Sequence, residues 1–247
     1  MKKLIEGAAK LGLGLSARQI QQFEVYYREL IEWNKKTNLT TIVDYESVQV
    51  KHFLDSLTVT IALSAESLTS PGFSVMDVGT GAGFPGVPLK ILLPGIRLVL
   101  VESTTKKIAF LYELIGRLQL EGAEVVNSTA EEAARLPLYR EGFSLVVSRA
   151  LAPLPTLAEL GLPFCELGGR FVAQKKGEIG DEVDKARAAI AALGGEVEQI
   201  RRIELDEFND MRYLVIIRKT SWTPARYPRR PGVPRRRPIQ EVNRHVV

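Results

Sequence analysis

Apolar residues recur at helical spacing between Ser16 and Lys36, where Ile20, Phe23, Tyr27, Leu30 and Ile31 share one face. Ser16, with Gln19 three residues on, supplies a capping box at the start of that helix. A turn-like stretch follows from Asn34 to Thr41, with Asn34 and Asn38 as turn and capping residues. A second helical run extends from Glu46 to about Leu63 and sets His52 and Asp55 on one face, read as hydrogen-bonding groups that pack this helix on the core. Residues 1–70 therefore read as an N-terminal helical cap, and the break Ser70-Pro71-Gly72 marks entry into a second region.

From there the period shortens. Apolar runs at Ser74–Val78, Arg97–Glu102, Glu124–Ser128, Phe143–Ser148 and Gly169–Gln174 read as strands. Helical segments alternate with them at Val87–Leu93, Lys106–Leu118, Ala130–Leu136, Leu154–Glu166 and Gly180–Leu193. Such alternation implies an α/β fold with a parallel sheet covered by helices on both faces. Two last strands, Glu196–Leu205 and Arg212–Lys219, are joined by a connector too short for a crossover helix, so they must form an antiparallel hairpin. The expected sheet is thus seven-stranded and mostly parallel, within a core of residues 71–221.

The turn after the first strand carries the chemistry. Residues 77–86 read Asp-Val-Gly-Thr-Gly-Ala-Gly-Phe-Pro-Gly, between a strand and a helix. Glycines let the backbone approach a ligand, and the following helix presents free N–H groups at its start. Glu102 ends the next strand, where an acid can accept hydrogen bonds from ribose hydroxyls. Gly81-x-Gly83-x-x-Gly86 satisfies the dinucleotide pattern, while Asp77-x-Gly79-x-Gly81-x-Gly83 satisfies the turn of S-adenosylmethionine (SAM) methyltransferases. A carboxylate at Asp77 would repel a diphosphate and attract the ammonium of a methionine moiety, directly or through carbonyls it orients, which favours SAM. A parallel Rossmann-like sheet with a reversed last strand is also the class I SAM methyltransferase arrangement.

Charge changes the picture at one end. The net charge of +4 conceals a segment, 222–247, with seven arginines, one acid (Glu241) and five of the 13 prolines. The remainder holds 26 basic and 28 acidic residues, so the body is nearly neutral. A Pro/Arg-rich segment reads as an arm with no core of its own, of the kind that meets nucleic acid. The lone Cys165 excludes an intramolecular disulfide and reads as a small buried residue, in a reducing, cytoplasmic setting. No apolar stretch has membrane-spanning length, the N-terminus lacks a signal-peptide core, and one Cys with two distant His (His52, His245) predicts no structural metal. Ser148 has no partners at hydrolase spacing and is not read as a nucleophile.

Six stretches occur in order: Trp33-Asn34…Asn38-Leu-Thr; His52-Phe-Leu-Asp-Ser-Leu57; Asp77 through Gly-Phe-Pro-Gly86 to Pro88; Ser148-Arg-Ala; Lys176-Gly177; and Tyr227-Pro-Arg-Arg-Pro-Gly232. Together, over residues 16 to about 239, they resemble the bacterial 16S rRNA (guanine-N7) methyltransferases, the glucose-inhibited division protein B family. The resemblance implies an enzyme that uses SAM, yields S-adenosylhomocysteine, and methylates N7 of one guanine in 16S rRNA or a small-subunit precursor; a cytoplasmic monomer is expected. Within the glycine turn, Asp77, Gly79, Gly81, Gly83 and Phe84 are the expected cofactor residues. Glu102, Ser103 and Thr104 would meet the ribose, Ala130 and Glu131 would flank the adenine, and Arg149 would position substrate or cofactor on the methyl-transfer side. The expected RNA contacts are Lys106, Lys107, Lys175 and Lys176 on the rim, with Arg226, Tyr227, Arg229, Arg230, Arg235, Arg236 and Arg237 on the arm. Two other readings remain at this stage: a small-molecule methyltransferase, which would have no use for a basic arm, and a non-catalytic nucleotide- or RNA-binding module.

Overall fold

A computed structural model describes residues 1–64 and 72–240; the break at Ser70-Pro71 and the arm residues Glu241, Arg244 and His245 lie outside them. The chain begins with a helix not anticipated from its pattern, α1 (Lys2–Lys10), whose Leu4 and Ala8 are buried. Gly7 faces Leu54 so closely that a Cβ would overlap its side chain, so α1 docks backbone-first. Helix α2 (Ala17–Thr37) starts at the expected capping box, with Gln19 N–H donating to Ser16 Oγ at 3.3 Å and Ser16 N–H donating to Gln19 Oε1 at 2.8 Å. It ends at Asn38, in the left-handed region at φ 49°. Asn34 Oδ1 accepts from Thr40 N–H at 2.9 Å, so both asparagines serve the turn as expected.

The second helical run is one continuous helical path of changing pitch: α3 (Tyr45–Val48), a π-helical stretch Gln49–Leu54, α4 (Asp55–Leu57) and a 3₁₀ turn Thr58–Ala62. Nearly every side chain from Val48 to Thr60 is buried. A helix buried on all sides has a neighbour on each face; here those are α1 and α2 on one side and the sheet on the other.

The sheet runs β1 (Ser74–Val78), β2 (Arg97–Glu102), β3 (Ala123–Asn127), β4 (Phe143–Arg149), β5 (Cys165–Lys176), β6 (Gly195–Ile203) and β7 (Arg212–Lys219), in the spatial order β3-β2-β1-β4-β5-β7-β6. The first five are parallel, and β7 is antiparallel to both β5 and β6. Helices α5 (Gly86–Leu92), α6 (Thr105–Leu118), α7 (Ala130–Ala133), α8 (Leu154–Gly161) and α9 (Gly180–Ala192) connect them. Strand alternation sends Val75, Leu98, Leu145 and Leu214 to one face, where they form a single cluster with Phe23, Tyr26, Leu30 and Phe53 of the cap. The cap therefore shares its core with the sheet. Met76, Val99, Val146, Phe171 and Val215 pack on the opposite face against α8 and α9.

The C-terminal segment departs from expectation. Up to residue 240 it is not a free arm. Thr223, Pro228 and Pro234 are buried, and α10 (Val233–Arg236) closes it. Arg140 Nη2 donates to Thr223 O at 2.8 Å, and Thr223 N–H donates to Glu141 Oε1 at 2.6 Å. Arg229 N–H and guanidinium both reach the fully buried Glu159 carboxylate, and Thr156 Oγ1 donates to Pro234 O at 3.2 Å. A Pro/Arg-rich chain cannot build a core alone, but here it takes its hydrogen-bond partners from the finished sheet domain.

Candidate functional site

The strand order reverses between β1 and β4, and ligands of open α/β sheets sit beyond the carboxyl ends of strands at that switch. There the glycine turn bends on positive φ at Gly79 (67°), Gly81 (62°) and Gly83 (93°), a conformation that glycine adopts without Cβ strain. Asp77 holds this turn from behind. Its Oδ2 accepts from Thr80 Oγ1 at 2.6 Å and from Gly86 N–H, at the start of α5, at 2.8 Å. It is completely buried and lies outside the cavity wall, so the expected direct attraction of an ammonium is corrected to a structural clamp. Burial pushes its carboxyl up to about 6 despite those bonds. Gly83 also faces away from the cavity: a Cβ there would stand 2.7 Å from Tyr26 Oη. Gly79 and Gly81 do line it.

The cavity measures about 670 Å³, within the range of small-molecule sites. Glu102, Ser103 and Thr104 form one wall. Glu102 is also a staple: Oε2 accepts from Gly81 N–H at 3.1 Å, and Oε1 accepts from Ser103 and Thr104 N–H at 3.0 and 2.9 Å. A carboxylate offers about four acceptor sites. Three are occupied, so Glu102 keeps room for about one more donor instead of both hydroxyls of a diol. Lys107 Nζ, 3.9 Å from Oε2, lines the same wall.

Ala130 and Glu131 close the far end, following a second capping box in which Thr129 and Glu132 bond reciprocally. Glu131 Oε1 accepts from Gly232 N–H at 2.9 Å, and Pro231, Gly232 and Arg235 of the C-terminal segment complete that wall. Sequence reading missed this contribution, because nothing local to Pro231-Gly232 announces a partner a hundred residues away.

Arg149, at the end of β4, stands opposite. Its Nη1 donates to Asp55 Oδ2 at 2.9 Å and to Lys51 O at 3.2 Å, and its guanidinium lies 4.8 Å from the Phe84 ring centre. Arg212 Nη1 reaches the other oxygen of the same Asp55 carboxylate at 2.5 Å. His52 stacks on Phe84 at 4.6 Å, and its Nε2 shares a hydrogen bond with Thr40 Oγ1 at 2.8 Å. Burial, with Arg149 beside it, pushes the His52 imidazole down to about 3, so it is neutral at physiological pH. His52 and Asp55 thus pack the cap on the core as read from sequence, but His52, Thr40 and Leu39 also line the cavity, a role the pattern did not reveal.

The expected rim separates into two groups. Lys106, Arg226, Arg230, Arg235, Arg236 and Arg237 are exposed, and Tyr227 is half-buried with the Arg226 guanidinium 5.1 Å from its ring. Lys175 is committed elsewhere, to Glu182 at 2.6 Å and Ala152 O at 3.2 Å, and Arg229 is committed to Glu159. Both are therefore structural cations. Lys176 borders a second, smaller cavity of about 200 Å³, which touches the first at Arg149 and Ala150. Ser148 donates to Val78 O at 2.9 Å, and Cys165 is buried as read.

The family model for rRNA small subunit methyltransferase G matches residues 19–209. A protein of Dehalococcoides mccartyi called ribosomal RNA small subunit methyltransferase G is 48% identical over 240 residues, covering 97% of this chain and all of that one. Its counterpart in Pelotomaculum thermopropionicum is 50% identical over 234 residues, 95% of this chain and 96% of its own. Among solved structures, a putative class I SAM-dependent methyltransferase of Listeria monocytogenes superposes with a TM-score of 0.56 at 13% identity, over 81% of this chain and 69% of that one. That likeness establishes the shared fold.

Proposed function

The chain belongs to the rRNA small subunit methyltransferase G family, and on that premise we propose that it transfers a methyl group from SAM to N7 of a guanine in 16S rRNA. The observation that carries this reading is the cavity of about 670 Å³ at the switch point, built by the glycine turn, the Glu102 wall and Arg149, in a chain that matches this family over nearly its whole length.

The residues present fit a nucleoside cofactor. A Cβ at Gly81 would meet nothing within 4 Å of the protein, so the backbone there is open to a ligand, while Gly79 lies against the Leu151 side chain. Glu102 has an acceptor site left for a ribose hydroxyl, Ser103 and Thr104 stand beside it, and Ala130 and Glu131 bound the end suited to a base. Bound there, SAM supplies an electrophilic methyl group. Guanine N7 carries a lone pair and no proton, so no side chain has to remove one. The chain's task is alignment, which lowers a barrier by up to roughly 7–11 kcal/mol.

Charge placement is consistent with that task. Positive charge moves from sulfur toward the purine during transfer, so an uncompensated cation near the methyl would oppose the reaction. Arg149 is compensated by Asp55, and His52 is held neutral. Arg149 thus serves as a positioning group whose Nη1 donates to Asp55, Lys51 O and His52 O of the cap, with its guanidinium over Phe84. The exposed cations Lys106, Lys176, Arg226, Arg230, Arg235, Arg236 and Arg237, with the half-buried Lys107, would meet phosphates around the mouth. The target base must be splayed out, because N7 is inaccessible in the deep groove of an A-form helix.

Incubation with tritiated SAM and 16S rRNA, followed by nucleoside mapping, tests the reading. Label at guanine N7 is expected; transfer to another atom or to no RNA would refute it.

A further inference from the structure

The second cavity, which meets the first at Arg149 and Ala150, contains an unpaired buried group. It lies between the ends of β4, β5 and β7 and is roofed by Asp55 and Thr58 of the cap. Strand register places Arg149 beside Gln174, and Gln174 beside Leu214, in one row across three strands. The Gln174 amide is oriented by donating from Nε2 to Asp55 O at 2.6 Å and to Thr58 Oγ1 at 3.2 Å. Those bonds identify which end of the amide is the oxygen. Its Oε1, on a side chain only 6% exposed, has no hydrogen-bond partner among the described residues. A buried acceptor left unpaired is costly, and each such group calls for a reason.

Around this acceptor stand donors. Lys176 is at the rim, and Arg212 is anchored from below by Asp210 at 2.7 Å and by Asp55. Tyr213 contributes an aromatic wall opposite Lys175 in the β5–β7 ladder. The cavity therefore offers one buried acceptor without a partner, Gln174 Oε1, beside the equally buried Arg212 and the exposed Lys176, while its carboxylates, Asp55 and Glu182, are already paired with Arg212 and Lys175; Arg149 and Ala150 form a partition shared with the first cavity.

Building on the methyltransferase reading, we propose that this second cavity receives the acceptor guanine, with Gln174 Oε1 accepting from its exocyclic N2 amino group. The purine frame makes the placement consistent. N2 and N7 lie at opposite ends of guanine, so anchoring N2 at Gln174 turns N7 toward Arg149 and the cofactor cavity. O6, next to N7, falls on the side of the Lys176 ammonium. An adenine has no amino group at that position and leaves Gln174 Oε1 unpaired. Gln174 is in this account a specificity-determining residue, and Lys176 a contact shared by any 6-oxopurine.

The test compares 16S rRNA carrying guanosine or inosine at the methylated position, since inosine lacks only the N2 amino group. Wild-type protein should prefer guanosine in kcat/KM by about tenfold, as expected for one lost hydrogen bond to a buried acceptor. Gln174→Met should bring the ratio near one with KM for SAM unchanged. Lys176→Met should lower kcat/KM for both substrates and keep the ratio. An unaltered guanosine-to-inosine ratio in Gln174→Met overturns the proposal, even though methyl transfer by the wild type upholds the enzyme assignment. Because Gln174 also ties down the cap, a second measurement uses unmutated protein. RNA with 6-thioguanosine at the target, irradiated with S-adenosylhomocysteine present, should crosslink to the peptide containing Lys176 or Tyr213. Crosslinks confined to other segments, or none from a complex that methylates the same RNA, overturn it equally.

Discussion

Arg229, from the C-terminal segment, forks onto Glu159 of α8, with Nη2 2.5 Å and Nε 3.1 Å from Oε2, while the carboxylate is wholly enclosed. The pair fastens a basic segment to the body through a buried carboxylate, so removing Arg229 strands a buried charge. Arg229→Met should destabilise the protein by roughly 3 kcal/mol in urea unfolding. Adding Glu159→Met should recover much of that loss. Additive effects of the two substitutions would show that the ion pair is uncoupled.

Truncation after Ser221 should do more than remove positive charge. It strands Glu159 and removes the Gly232 N–H that donates to Glu131, together with one wall of the cavity proposed to hold SAM. A melting temperature lower by roughly 6–12 °C is expected for a chain of this size. SAM affinity, read by titration calorimetry, should fall about tenfold or more, the scale of one hydrogen bond to a charged group. Unchanged affinity would place the cofactor away from the C-terminal wall.

Glu102→Ala removes the acceptor of three backbone N–H groups and, on the proposed reading, a contact for ribose. SAM affinity should drop about tenfold or more, with a lower melting temperature because the Gly81 turn loses its tie. A 2′-deoxyribose cofactor analogue should discriminate less against the variant than against wild type. Equal discrimination would mean that Glu102 acts on the turn alone.

Acid stability should carry the signature of His52. Its imidazole is held down near 3, against an ordinary 6.5, mainly by burial and then by Arg149. A depressed base contributes stability that is present above pH 6.5 and lost as pH falls toward 3, with a slope of up to about 1.4 kcal/mol per pH unit. Asp77 acts oppositely: its carboxyl, raised from 3.8 to about 6, adds stability as pH falls through that interval. His52→Gln should therefore flatten the acid limb of unfolding free energy against pH. An unchanged limb would assign the acid sensitivity to other groups.

The elements legible from sequence were those whose signals are local. The limits of β1, β2 and β7 coincide with their apolar runs, and the Ser16–Gln19 box starts α2 where the spacing requires it. The glycine turn and the Glu102 wall followed from residue type and offset. Other features escaped for identifiable reasons. Helix α1 is short and contains Gly7, so its pattern is weak without Leu54 to receive it. Asp77 was read as a ligand group because a motif records which residue occurs and not which way it faces.

Sequence alone determined the α/β alternation, the reversed last hairpin, the nucleoside-sized turn and the family to which the chain belongs. Only the tertiary structure decided what the charges do. Arg229 and Lys175 were counted among nucleic-acid contacts and are instead bound to Glu159 and Glu182, while Arg149 and Arg212 share Asp55. The reason is physical: periodicity reports burial along one element, whereas an ion pair joins residues brought together from separate elements. Only the folded chain brings those partners within a few ångströms.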